Sequence, residues 1–118
     1  MDDKIKKGTD TITQIWGNPR TDLKEELGIL GEMIIEHAFA DIYSRPGLSL
    51  RDRELITISM LIAQGGAPQQ LKNHMLAGVN QGIQIEELLE IVLQSYLYNG
   101  FPKAIQAYKV LQEVADSI

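Results

Sequence analysis

The sequence predicts an all-α fold, a small helical bundle of five to six helices in one chain of 118 residues. Three observations predict it. Apolar residues recur at three- and four-residue spacing through most of the chain. Glycine and proline fall between these segments as stops and starts, as in Gly17-Asn18-Pro19, Gly65-Gly66-Ala67-Pro68 and Asn99-Gly100-Phe101-Pro102. The connections are short, as in an antiparallel helical bundle.

Residues 1–20 read as an N-terminal arm or short helix. Ile5, Ile12, Ile15 and Trp16 share a loose amphipathic spacing, interrupted by Gly8 and stopped at Gly17-Asn18-Pro19. The arm is expected to pack on its own or a neighbouring subunit, with its first few residues disordered. Residues 21–118 form the main domain. Asp22-Leu23-Lys24-Glu25 has the pattern of a capping box. Leu23, Leu27, Leu30, Ile34, Ala38 and Ile42 follow as a helical stripe, which Met33, Ile35 and Phe39 widen. A helix apolar most of the way round must be covered on more than one side. It is expected to end near Ser44, because Pro46 disfavours the α conformation at Arg45.

Ser49 suits the cap of the next helix, with Asp52 on the favourable side of its dipole. Ile56, Ile58, Met60 and Ile62 alternate with polar residues, which is also a strand pattern. The segment is assigned to a helix because it continues from Leu50–Glu54 and nothing else in the chain supplies a partner strand. Pro68 suits a first helical turn, Leu71, Met75 and Val79 form one stripe, and Gly82 is the stop. Ile85–Tyr98 carries Ile85, Leu88, Leu89, Val92 and Tyr96, with Glu86, Glu87 and Glu90 toward its positive end. Pro102 opens the last helix, with Ile105, Tyr108, Leu111 and Ala115 expected on its buried stripe.

Composition narrows the function classes. Hydrophobic residues make up 44 % of the chain, enough for a core, yet a chain this short buries a modest share of its surface. Surplus apolar helix surface is therefore expected between subunits of a homo-oligomer. A net charge of −5 argues against nucleic acid or an anionic membrane as the main partner, since a phosphate backbone needs a basic face. Without cysteine there is no disulfide, thiolate metal site or thiol nucleophile. The charged start is followed by no apolar run, and Leu55–Ala63 and Leu88–Leu97 are too short to span a bilayer. A cytoplasmic protein is expected.

The chain has two histidines, His37 and His74, and no phosphate-binding loop. An all-protein zinc site would need carboxylates to complete its ligands, so no bound metal is expected. His74 lies beside the Leu71/Met75 stripe. Glu54 opens the preceding helix, and the Gly65-Gly66 turn makes the two helices antiparallel, so the pair can meet. A carboxylate beside an imidazole fixes its tautomer and suits acid–base work, although such a pair also occurs for structural reasons alone. Arg45, Arg51 and Arg53 cluster around Pro46-Gly47 and could hold a small carboxylate substrate. Their alternative use is to pair with surface or interface acids. His37, inside an apolar stripe, reads as a satisfied buried or interface histidine. Tyr96 and Tyr98 read as core or interface packing.

Three stretches in order resemble the carboxymuconolactone decarboxylase family, with its alkylhydroperoxidase-D-like fold. They are Phe39–Ile62, Leu71–Gly82, and Ile85–Ile91 followed by Tyr98-Asn-Gly-Phe-Pro102. The resemblance spans roughly residues 23–115. It implies an all-helical subunit in trimers or hexamers, with sites near subunit contacts. One branch uses a Cys-x-x-Cys pair ahead of the family histidine and a glutamate on the preceding helix. The resemblance puts the histidine at His74 and the glutamate at Glu54. The cysteine positions fall on Ala67 and Gln70, so the thiol peroxidase activity is not implied. The other branch decarboxylates 4-carboxymuconolactone without a cofactor, and Arg45-Pro-Gly-Leu48 and Arg53-Glu-Leu-Ile56 resemble it more closely. The chain departs from that branch at Phe39 and Tyr43, where tryptophans are expected, and at Ala40, where glycine is.

The expected function is a cofactor-free lyase acting on a small carboxylated lactone. His74 is the proton donor, Glu54 its orienting partner, and Arg45, Arg51 or Arg53 the carboxylate clamp. The alternatives are a related cofactor-free enzyme on another small acid or lactone, and a non-catalytic metabolite-binding oligomer.

Overall fold

The computed structural model describes residues 3–118, and every regular element among them is helical. In order these are α1 (Asp3–Trp16), α2 (Asp22–Leu27), α3 (Ile29–Met33), a π-helix (Ile34–Tyr43), α4 (Leu50–Gln64), α5 (Pro68–Asn80), α6 (Ile85–Asn99) and α7 (Phe101–Ser117). They fall into two compact units, Met1–Leu50 and Arg51–Ile118. The expectation of disorder over the first few residues is corrected from Asp3 on, where α1 begins, and residues 1 and 2 lie outside the described residues.

In the first unit, α1 is one continuous helix, and Gly8 does not interrupt it. Gly8 is buried because the π-helix passes against it. A Cβ placed there would lie 2.7 Å from Ile35 Cγ2 and closer still to the Ile35 carbonyl oxygen. Here the glycine permits a close helix crossing, at some cost in propensity. Ile12 and Ile15 are fully buried on the same face. Trp16 meets Phe39 edge-on at 5.5 Å, and Phe39 leans on Tyr43 at 4.9 Å. The Arg20 guanidinium lies 4.7 Å above the Trp16 ring and 2.9 Å from Asp22.

The long second helix expected from the sequence is instead three pieces. The chain turns at Gly28 (φ +56°), separating α2 from α3, and α3 then widens into the π-helix. The capping box at Asp22–Glu25 does not form. Thr21 is the N-cap residue without a side-chain bond, and Asp22 binds Arg20 instead. The stripe is corrected as well. Leu23 is buried, but Leu27, Leu30 and Ile42 are exposed, and Gly31, Ile35, Phe39 and Ala40 form the inner face. A π-turn holds more residues than an α-turn, so positions three and four apart no longer stack. The helix does end near Ser44, which caps it after Tyr43 and whose hydroxyl donates to the Ala40 carbonyl. His37 is exposed, so the buried reading of that histidine is corrected too.

In the second unit the Leu55–Ile62 stretch is helical. Its inner face, Glu54, Ile58 and Ile62, is buried at four-residue spacing. Gly65 and Gly66 both take positive φ, +71° and +74°, which reverses the chain in a two-residue turn before Pro68 starts α5. Ile58, Ile62, Leu71, Met75, Leu88, Val92, Leu111 and Val114 belong to one core. Gln84 caps α6 and Glu87 answers it in a reciprocal capping box. On α7 the buried face is Ala104, Ala107, Val110, Leu111 and Val114. Ile105, Tyr108 and Ala115 lie outside it, and Tyr96 and Tyr98 are exposed as well. Of the expected stripe Leu111 is buried, while the inner face is completed by Ala104, Ala107, Val110 and Val114.

Candidate functional site

Glu54 takes its place from the apolar face of α4. It continues the Ile58/Ile62 row by one turn, so helix geometry drives its carboxylate into the core. Its side chain is fully buried. His74 lies on α5 between the buried residues Leu71, Met75 and Gly78. The Gly65-Gly66 turn folds α5 back along α4, and His74 Nδ1 comes within 2.7 Å of Glu54 Oε1.

A buried charge is tolerated where it is paired and hydrogen-bonded. Glu54 is only half satisfied. Oε1 meets the imidazole, while Oε2 is buried with no hydrogen-bond partner among the described residues. Such an orphan oxygen costs roughly 1–3 kcal/mol if nothing fills the gap, and it belongs to the one buried carboxylate among the described residues. When the carboxylate is ionised it only accepts hydrogen bonds, Nδ1 then donates to it, and Nε2 is the ring position that exchanges a proton. The His74 side chain retains 16 % of its exposure. The arrangement is one oriented imidazole, backed by a buried carboxylate and reachable from outside.

The three arginines have separate fates. Arg51 Nη2 lies 2.5 Å from Glu87 Oε2, so it serves an ion pair on the α6 cap. The Gln84 backbone N–H, and after it the Arg51 side chain, hold the Glu87 carboxyl below the usual carboxylate range. Arg53 is half-buried beside Glu54 on α4. Arg45 belongs to the first unit, where it lines a polar groove of about 430 Å³ with Lys6, Lys7, Tyr43 and Ser44. Among the described residues no group of three or more His, Asp or Glu side chains is arranged to hold a metal ion. No helix among them is long and apolar enough to cross a membrane.

Sequence reasoning passed over Lys103. It sits in the first turn of α7, where a cation opposes the helix dipole, and its ammonium donates to the Ala63 carbonyl at 2.7 Å. The one trace in the sequence is a lysine directly after a helix-opening proline. Its partner lies 40 residues away, beyond any local pattern.

The carboxymuconolactone decarboxylase family model matches residues 30–113. The 4-carboxymuconolactone decarboxylase of Acinetobacter baylyi is 31 % identical, with 94 % of this chain and 86 % of that protein aligned. The nitrosuccinic acid decarboxylase of Metarhizium robertsii is 33 % identical over 74 % of this chain. An uncharacterised 15.0 kDa protein of Paracoccus denitrificans is 28 % identical over 69 % of it. The chain spans 60 % and 61 % of the lengths of these last two. The chain belongs to the carboxymuconolactone decarboxylase family.

Proposed function

We propose that this member of the carboxymuconolactone decarboxylase family is a cofactor-free decarboxylase of a small carboxylated lactone such as 4-carboxymuconolactone. The observation that carries the reading is the contact between His74 and the buried, half-satisfied Glu54.

Two of the relatives are named for decarboxylation, one of an unsaturated lactone acid and one of a nitro acid. These reactions share one requirement. When the bond to the carboxylate carbon breaks, carbon dioxide leaves and the electron pair must enter an acceptor that the substrate itself carries. In the lactone the pair flows into the conjugated carbonyl and gives a dienolate. The enzyme then has to stabilise that charge and return a proton to carbon. Donors aimed at developing charge are often the largest catalytic contribution. In this scheme His74 Nε2 supplies the proton, Glu54 holds the ring through Nδ1, and solvent reprotonates the imidazole afterwards. Arg53, next to Glu54, holds the substrate's remaining carboxylate. Arg51 is engaged with Glu87 and has no part in the scheme. The chain works as a homo-oligomer, a trimer or hexamer, a reading supported by its many exposed large apolar side chains.

The test is carbon dioxide release from 4-carboxymuconolactone, from nitrosuccinate and from a saturated lactone acid that lacks the acceptor. Turnover of the first and none of the last supports the reading. Turnover of nitrosuccinate alone moves the substrate to nitro acids and keeps the site. No turnover of any of them removes the decarboxylase reading.

A further inference from the structure

A cavity of about 400 Å³ lies in the second unit between the α4–α5 turn and α7. Its size is ordinary for a small-molecule site. Leu61, Ile62, Leu71 and Val110 give it an apolar wall. Neither Glu54 nor His74 lines it, although Ala67 and Leu71 of the same α4–α5 connection and helix do.

The polar groups of this cavity are unequal in sign. Lys103 and Lys109 line it with a single acid, Glu113, although the whole chain carries a net charge of −5. Glu113 is drawn toward Lys72, 4.0 Å away. The half-buried Lys103 ammonium has one hydrogen-bond partner among the described residues, the neutral Ala63 carbonyl, and no carboxylate within 4 Å. An ammonium has three donors, so two remain available, and what faces the charge is the carbonyl end of α4, a partial negative charge with no carboxylate among the described residues. The lysine stem also lies along the α4–α5 turn. It runs against the turn closely enough that a Cβ on Gly65 would lie 3.5 Å from Lys103 Cε. Closing the end of α4 explains one donor. It leaves a cation with no carboxylate partner at the edge of an apolar cavity.

We propose that this cavity binds a small organic monocarboxylate, its apolar body against Leu61, Ile62, Leu71 and Val110 and its carboxylate on Lys103. The ligand supplies the anion that the protein omits, and charge-assisted hydrogen bonds of this kind are roughly twice as strong as neutral ones. The proposal does not depend on the decarboxylase reading, because it concerns binding in a different place.

The experiment titrates the isotope-labelled full chain with benzoate and, separately, with benzyl alcohol, following backbone amide resonances. Benzoate should shift the amides of Gly65, Gly66, Leu71, Lys103 and Ala107, and should bind at least about tenfold more tightly than the neutral alcohol. Lys103→Gln keeps a donor for the Ala63 carbonyl but loses the charge, and should abolish that preference. Lys103→Arg should retain it. A purely structural lysine would leave the preference between the two probes unchanged. Equal affinity for both probes, shifts confined to other residues, or a preference that survives in Lys103→Gln would each overturn the proposal. If Lys103→Gln does not fold, the decision rests on the unmodified chain, where the benzoate preference must be present and must weaken as salt is raised.

Discussion

At the residue scale, the pairing of His74 with Glu54 was legible because both ends of it obey local rules. Four-residue spacing puts Glu54 in line with Ile58 and Ile62, and a two-glycine turn fixes where the returning helix runs. The exposure of His37 was not legible, since it depends on the π-helix that carries it. In the proposed chemistry, Glu54→Gln keeps an oxygen for Nδ1 and removes the charge behind the ring. It should lower kcat for decarboxylation at least about tenfold while leaving far-UV circular dichroism unchanged. An unaltered kcat would reduce Glu54 to packing. Gly8 supports a prediction of another kind. In Gly8→Ala the new methyl meets Ile35 backbone as well as its side chain, so neither can swing clear. Urea unfolding should show a loss of about 1–3 kcal/mol, whereas substitution at an open helical position would be neutral or stabilising.

At the element scale, the helix starts at Leu50, Pro68 and Ile85 and the stops at Trp16, Tyr43, Gln64 and Asn99 follow from proline, glycine and the flanking periodicity. Faces were harder to read than boundaries. On α7 the apolar residues occupy more than one face, and periodicity cannot say which is turned inward. The alanines at 104 and 107 lie on the buried face with Val110, Leu111 and Val114. The second helix fails as a single stripe for a related reason, because a break at Gly28 and a change to π-geometry reset the phase twice. The α6 cap gives a pH prediction. Glu87 sits below its ordinary value of 4.5 in the folded chain because the Gln84 N–H and Arg51 bind its ionised form. A lowered folded value means the cap's contribution is present above the unfolded value and lost as pH falls through the folded one. Stability measured between about pH 5 and pH 3 should therefore fall less steeply in Glu87→Gln than in the unmodified chain. Equal slopes would remove the cap from the acid response.

At the scale of the whole molecule, the surplus of apolar surface expected from composition is visible on α6 and α7. Leu93, Leu97, Phe101 and Ile105 are all more than half exposed, and Tyr96 stacks on Phe101 at 4.9 Å in the same neighbourhood. A contiguous apolar patch of this kind marks an interaction surface. If subunits cover it, Leu97→Glu, which touches little within its own chain, should shift sedimentation velocity from an oligomer toward the monomer without lowering helix content. An unmodified chain that sediments as a monomer at micromolar concentration would contradict the oligomer. What the sequence could not supply at this scale is the identity of the substrate. That depends on groups brought together across tens of residues, as the Lys103 contact with Ala63 illustrates within the second unit.

The central claim is that an imidazole oriented by a buried carboxylate delivers the proton after carbon dioxide leaves. Its most direct test is kcat for carbon dioxide release from 4-carboxymuconolactone by the unmodified chain and by His74→Ala. The account predicts turnover in the unmodified chain and a loss of about 10²–10⁴-fold in the variant, the range for removing one acid–base group. Turnover that survives in His74→Ala would contradict it.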